Sequence, residues 1–471
     1  MDAEEPANST DSPKLAKPGL ILIAVTLFVV VRFLVPVSST SPGTDPELIR
    51  TGLALLAFIG FLWLSEALPL AITALFVPVM AVALGILDVP TAFRGFGHPL
   101  IFLFLGGFGI AAALSRQELD RWLAQRLIHL AKGHFRTSAL ALAVAAAGLS
   151  MWISNTATTA LLLPVALGIL AELETRAGTG STRNAAPLLL LGIAYSASIG
   201  GLATLIGTAP NVIAAQYLDI DFASWMKIGL PAVAVLLPIA LVILHSLLRV
   251  GKLPSLEVAN EPFQWTAPRI TTLAVFGLTV AAWLASRPLS DLLGVEKNLD
   301  SIIAIASLVL LSALGLVGWK DVDRTTNWGV LLLFGGGLTL SESLKPDRTG
   351  ASTYLAELIS GLVGSWPQIA IVTVIVLFVI FLTELSSNTA TTLLLVPIFG
   401  GGAVEMDLAP EMLVVPLTLA ASCAFMLPVA TPPNAIVFGS GAIRQRTMMR
   451  VGLVLNLALA LVLALLSTFL F

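Results

Sequence analysis

Two stretches of this 471-residue chain read almost alike. Ser150-Met151-Trp152-Ile153-Ser154-Asn155-Thr156-Ala157-Thr158-Thr159 and Thr383-Glu384-Leu385-Ser386-Ser387-Asn388-Thr389-Ala390-Thr391-Thr392 share the run S-N-T-A-T-T, with Asn155 matched to Asn388. Each sits midway along an apolar run, 139–171 and 369–404. Each is followed by a proline, and Pro164 and Pro397 keep the same interval as the two asparagines. Both runs are long for a single crossing of a ~30 Å hydrocarbon layer. A polar midpoint inside such a run reads as a re-entrant hairpin, whose tip is tolerated only where protein or water surrounds it.

The likeness extends outward from the two tips. Downstream, Gly207-Thr208-Ala209-Pro210-Asn211 recurs as Ala430-Thr431-Pro432-Pro433-Asn434. Upstream, Phe104-Leu105-Gly106-Gly107 recurs as Phe334-Gly335-Gly336-Gly337. The interval between partners changes little from one pair of motifs to the next, so the chain carries two copies of one unit. Each copy is expected to supply five spans and one hairpin. An odd number of crossings makes the second copy enter the membrane from the opposite side. That is the inverted-repeat plan of secondary transporters, with the site where interrupted helices of both halves meet.

Composition agrees with a bilayer as solvent. Hydrophobic residues make up 57% of the chain and charged residues 11%, too few to cover a water-soluble globule of this length. The formal net charge of -3 points to no nucleic-acid partner. A single cysteine, Cys423, rules out an intramolecular disulfide, and the four histidines show no metal-ligand spacing. No H-E-x-x-H or G-x-S-x-G is present and Cys423 has no partner, so an enzyme is not the expectation.

The expected fold is an all-α integral membrane protein with eleven transmembrane helices plus two re-entrant hairpins in an inverted-topology repeat. Residues 1–17 read as a disordered cytoplasmic tail, and the Asn8-Ser9-Thr10 sequon in it would not meet the glycosylation machinery. The run 19–37 reads as a retained first helix rather than a signal peptide. With the N-terminus inside, sixteen Lys and Arg fall on cytoplasmic segments and six on outside ones, which places the C-terminus outside a multi-pass cell (inner or plasma) membrane. Residues 116–134 alternate charge with Leu119, Trp122 and Leu123 at helical spacing, an amphipathic helix on the cytoplasmic face, with 354–362 as its counterpart.

The residue types suit an anion beside a small cation. A half-helix beginning at Asn155 or Asn388 offers unpaired N–H groups and partial positive charge to a carboxylate. The half-helix before each tip ends in free carbonyls, which suit Na⁺. Ser150 and Ser154 are four residues apart, so both hydroxyls are expected on one helical face near those carbonyls, and Thr383 and Ser387 repeat the spacing. The prolines of 207–211 and 430–434 should break their own spans and leave further carbonyls free. Neither tip contains Arg or Lys, so a dianion would lean on bound Na⁺ for positive charge, a physical reason for coupling. Glu384, with Met151 as its counterpart, is either a proton carrier or a partner for a backbone N–H.

With duplicated S-N-T tips beside G-T-A-P-N and A-T-P-P-N, the chain resembles the divalent anion/sodium symporter family, the INDY-like dicarboxylate transporters, over nearly all residues from Gly19. The resemblance implies Na⁺-coupled symport of C4-dicarboxylates (succinate, malate, fumarate) by a homodimer working as an elevator. In that scheme residues 18–133 and 251–362 form the scaffold, while 134–250 and 363–471 form the transport domain. The resemblance puts sodium on Ser150, Ser154, Asn155 and the Gly207 carbonyl, and on Thr383, Ser386, Asn388 and the Ala430 carbonyl. It puts substrate on Asn155, Thr156, Thr208, Asn388, Thr389, Thr431 and Pro432. Na⁺ is then cargo, membrane lipid the surroundings, and no organic cofactor is implied. Two alternatives stay open within this class: a sodium-independent dicarboxylate exchanger, and a carrier of citrate, sulfate or another oxyanion. A channel is a more distant one, since helices meeting at one buried point suit an occluding site.

Overall fold

The computed structural model describes residues 17–37, 45–130, 134–178, 183–251, 253–254, 263–295 and 297–470. Lys17 apart, the expected N-terminal tail and its sequon lie outside the described residues, as do Lys132 and Lys252. Among the described residues every regular element is helical.

The first half runs α1 (Pro18–Leu34), α2 (Pro46–Ser65), α3 (Leu70–Ala83), α4 (Val89–Arg94), α5 (Pro99–Arg116), α6 (Leu119–Leu130), α7 (Phe135–Ser150), α8 (Asn155–Ala177), α9 (Ala185–Gly200), α10 (Ala209–Leu218) and α11 (Phe222–Leu247). Proline stands in the first turn of α1, α2, α4 and α5, where its missing N–H costs nothing and its fixed φ is already helical. Glu118, at φ 58°, turns the chain from α5 into the amphipathic α6. The second half runs α12 (Ala267–Leu284), α13 (Ser286–Leu293), α14 (Leu299–Ala313), α15 (Trp319–Thr325), α16 (Trp328–Leu344), α17 (Ala351–Val363), α18 (Gln368–Thr383), α19 (Asn388–Glu405), α20 (Glu411–Ala421), α21 (Pro432–Gly439) and α22 (Gln445–Leu470). Set α1 and α13 aside, and α2 to α11 correspond in order to α12 and α14 to α22. The short α4 and α15, a matched pair, were not foreseen from the apolar runs.

Seven helices among the described residues are long and apolar enough to cross a membrane, or eight if α17 and α18, bent by 118°, count as one. The expected total of eleven also drew on segments that fold as apolar helices of 10–17 residues, among them α1, α3, α14 and α16. Outward-facing positions carry bare apolar side chains: Leu22 is 67% exposed, Val242 64% and Leu278 69%. Hydrocarbon solvates such a surface; water does not.

The halves interlock crosswise. α5 packs on α14, and α16 on α3. At the first contact a Cβ on Gly106 would meet the Ala304 carbonyl carbon at 2.6 Å, and at the second a Cβ on Gly336 would meet the Ala74 carbonyl oxygen at 2.5 Å. Gly106 and Gly336 are matched positions of the repeat, and Ala74 and Ala304 are separated by the same interval. Small residues let these backbones touch, a packing mode that needs no hydrophobic drive between helices. Beside the two S-N-T segments, α9 and α20 form matched central helices. Every residue from Ala185 to Gly200 is buried, as are Leu413 to Ala421. α9 packs on α7, α8 and α11; α20 packs on α18, α19 and α22.

Ion pairs tie the halves together at both ends. Arg116 pairs with Asp321 and Arg269 with Glu118, all expected on one side of the membrane. Arg287 holds Asp221 at 2.7 Å and Lys297 pairs with Asp219, all on the other.

Candidate functional site: two tips and two broken helices

At the first tip α7 ends at Ser150 and α8 begins at Asn155. This corrects the expectation that Ser150 and Ser154 share a helical face. Ser154 lies past the end of α7, with φ -58° and ψ 145°, and caps α8 by accepting a hydrogen bond from the Ala157 N–H at 3.2 Å. Ser150 instead donates to Asn155 Oδ1. The second tip needs the same correction. α18 ends at Thr383, and Ser387 caps α19 by accepting from the Ala390 N–H at 3.4 Å. Thr383 Oγ1 donates to the Ile380 carbonyl at 3.1 Å. Ser386 Oγ donates to the Leu382 carbonyl and lies beside Thr391 Oγ1, each at 2.8 Å. Asn388 Oδ1 is buried and accepts no hydrogen bond from the described residues.

Downstream of each tip a helix breaks, and the motif prolines stand in the first turn of the helix that resumes. α9 runs out through a 3-10 turn, Gly201–Ala203, and α10 starts only at Ala209, with Pro210 in its first turn. α20 stops at Ala421 and α21 resumes at Pro432. In both breaks the asparagine closing the repeated motif does one job. Asn211 Nδ2 donates to the Gly201 carbonyl at 2.9 Å and the Thr204 carbonyl at 2.7 Å. Asn434 Nδ2 donates to the Ala424 carbonyl at 3.1 Å and the Leu427 carbonyl at 3.0 Å. One constant interval relates the two donors and both pairs of acceptors.

The breaks leave oxygens facing the tips. A Cβ on Gly201 would sit 2.5 Å from Asn155 Oδ1 and 3.1 Å from the Gly207 carbonyl oxygen. A bare glycine keeps that gap clear, and Asn155 and Gly207 border it with neutral oxygens, with the Ser150 hydroxyl bonded to the first of them. Such a set fits an alkali cation, a hard ion that accepts carbonyl and hydroxyl ligands. In the second copy Asn388 Oδ1 is buried without a hydrogen-bond donor among the described residues. Among the described residues no His, Cys, Asp and Glu cluster could hold a metal ion.

The residues expected to touch substrate are placed unequally. Thr156 and Pro432 are exposed, Asn155, Thr208 and Asn388 are half-buried, and Thr389 and Thr431 are buried. Thr431 Oγ1 accepts from the Asn434 N–H at 3.3 Å, holding the start of α21. α21 packs on α8 and α10 on α19, so the broken helix of each copy lies against the tip helix of the other.

Several residues here escaped the sequence reading. The carbonyl of Leu202 takes the Trp225 indole N–H at 3.0 Å; its counterpart, that of Phe425, takes the Tyr195 hydroxyl at 2.6 Å. Thr204 Oγ1 donates to the Met151 carbonyl. Glu384 accepts from the Leu427 N–H at 2.9 Å, the Met426 N–H at 2.8 Å and Asn456 Nδ2 at 2.7 Å, so it is a partner for backbone N–H groups. Asn211 and Asn434 stood in the repeated motif, and their duplication was the available signal. Asn456 gave none.

Comparison with known proteins adds the family. Residues 60–410 match the family model CitMHS, described as a citrate transporter. A protein named sodium-dependent dicarboxylate transporter SdcS, from Staphylococcus aureus, is 36% identical over 88% of this chain and 84% of its own length. The chain belongs to the divalent anion/sodium symporter family. An uncharacterized transporter of Haemophilus influenzae is 43% identical over 95% of this chain and 96% of its own. In fold the chain is similar to the YdaH transporter of Alcanivorax borkumensis, with a TM-score of 0.54 at 16% identity over 96% of each chain. This member of the symporter family is a multi-span membrane transporter and not an enzyme.

Proposed function

We propose that this transporter carries C4-dicarboxylates such as succinate, malate and fumarate inward together with Na⁺. The observation that carries the reading is the duplicated site. Two asparagine-led tips and two asparagine-clamped breaks, matched between the copies, put neutral oxygens and helix N-termini side by side with no Arg or Lys among them. A dianion needs positive charge, and the oxygens around Asn155 and Asn388 are suited to Na⁺ as the source. The name of the Staphylococcus aureus relative supports both cargo classes.

The first sodium ion is assigned to Ser150, Ser154, Asn155 and Gly207, the second to Thr383, Ser386, Asn388 and Ala430. Ser386 acts there through its backbone. The substrate is assigned to Asn155, Thr156, Thr208, Asn388, Thr389, Thr431 and Pro432. Further parts of the reading are the inverted repeat of eleven spans and two re-entrant hairpins, and the N-terminus in the cytoplasm of a plasma-membrane protein. The transport domain (134–250, 363–471) moves as an elevator against a scaffold (18–133, 251–362) in a homodimer.

A citrate carrier is the second reading, favoured by the description of the matched family model. Competition separates the two. Uptake of labelled succinate into proteoliposomes is expected to be blocked by unlabelled malate and fumarate. Block by citrate or sulfate alone contradicts the dicarboxylate assignment.

A further inference from the structure

The two breaks are anchored to their tips by opposite chemistry. In the first copy the break reaches the tip with a side chain, Thr204 Oγ1 donating to the Met151 carbonyl. The second copy has Leu427 in place of Thr204, which has no hydroxyl to give. There the tip reaches the break. Glu384 Oε2 accepts from the Leu427 N–H at 2.9 Å, and Oε1 accepts from the Met426 N–H at 2.8 Å and from Asn456 Nδ2 of α22 at 2.7 Å. Leu427 is thus held twice, its N–H by Glu384 and its carbonyl by Asn434.

All three partners of this carboxylate are donors, the pattern that suits an anion. Glu384 is 3% exposed, and among the described residues no Lys, Arg or His pairs with it. A buried anion without a counter-ion is costly, more so at membrane depth. Thr383 precedes it directly, and Asn388 Oδ1, just beyond it on the same tip, is buried without a donor. An arriving cation meets both needs.

Resting on the sodium-coupled reading, we infer that Glu384 is a positioning residue for the second-copy Na⁺ site. Its three hydrogen bonds fix the break that presents the Ala430 carbonyl, and its charge draws the cation. Asn456 holds the carboxylate in place from α22. The first copy, with Met151 at this position, has no such charge, so the two cation sites are unequal and the second is the tighter.

The test is ²²Na⁺ binding to the purified protein in detergent without dicarboxylate, with the unfolding midpoint in Na⁺-free buffer followed in parallel. Wild-type protein is expected to bind with two affinities. Glu384→Gln is expected to raise the half-saturating Na⁺ of the tighter class at least about tenfold, from loss of a unit charge at short range in a low dielectric. Glu384→Asp, which keeps the charge, is expected to recover part of that loss. A structural role alone lowers the midpoint and leaves the Na⁺ curve unmoved, and that result overturns the inference. Should Glu384→Gln fail to fold, Asn456→Ala leaves the charge but frees it; a weaker tight class supports the assignment and an unchanged one overturns it. Wild-type protein that binds no Na⁺ overturns the sodium-coupled reading and this inference with it. Wild-type binding with an unaltered Glu384→Gln curve overturns this inference alone.

Discussion

Asn211 and Asn434 are the same residue twice: each donates its side-chain amide to two carbonyls of the break that precedes it. A broken helix buried in protein leaves carbonyls short of donors, and one amide at each break serves two of them, of which the Thr204 and Leu427 carbonyls also accept from the Gly207 and Ala430 N–H groups. Both asparagines are fully buried, so water cannot take over the work. We predict that Asn211→Leu and Asn434→Leu each destabilise the protein by about 1–3 kcal/mol, the cost of one orphaned carbonyl. The check is the thermal unfolding midpoint in detergent. Midpoints within experimental error of wild type would remove the clamp from the account.

A second prediction concerns the crosswise contacts. Gly106 lies against Ala304 and Gly336 against Ala74. Gly106→Val and Gly336→Val force side-chain atoms into a neighbouring backbone, and each is expected to cost about 1–3 kcal/mol or more, as overpacking does. Because the two contacts are related by the repeat, the two variants are expected to lose similar amounts. One tolerated and one lethal substitution would contradict the equivalence.

These contacts also show what the sequence disclosed. Duplication was legible because it leaves identical letters, so the tips, the breaks and the paired glycines could be located from residue order. The roles of Ser154 and Ser387 were not. A spacing of four puts two side chains on one face only while the helix continues, and α7 and α18 end at Ser150 and Thr383. Span number was blurred for a related reason, since helices such as α3 and α14 are shorter than the usual crossing length. Asn456 lay hidden because its partner, Glu384, is distant in the chain, and nothing in an apolar helix announces such a pairing.

At the tips, Asn155→Ala and Asn388→Ala are each expected to abolish uptake, with the unfolding midpoint of Asn388→Ala close to that of wild type. Asn388 Oδ1 is satisfied by nothing among the described residues, so its loss orphans no donor, whereas Asn155→Ala also removes the acceptor of the buried Ser150 hydroxyl. Ser150→Ala removes the donor to Asn155 Oδ1 and is expected to alter the Na⁺ dependence of uptake more than its succinate dependence. Full activity in either asparagine variant contradicts the site.

Acid should weaken one inter-half tie. Burial pulls the Asp221 carboxyl upward, but hydrogen bonds from Ser224 and the Arg287 guanidinium more than offset it, leaving it below the usual aspartate range. A depressed value means the fold favours the charged form. The stabilisation is therefore present at neutral pH and is lost as pH falls through the lowered value. Asp221 also caps α11 through the Ser224 N–H at 2.7 Å, so Asp221→Ala is expected to cost about 0.5–2 kcal/mol at neutral pH. Unfolding midpoints measured across pH are expected to converge for variant and wild type in acid. A difference that persists there would assign the effect to packing.

The most direct test of the central claim is uptake of labelled succinate into proteoliposomes under an inward Na⁺ gradient, compared with choline in its place. The account predicts accumulation in sodium and none above background in choline. Equal uptake in the two would contradict it, because the neutral oxygens gathered at the tips would then have no cation to serve.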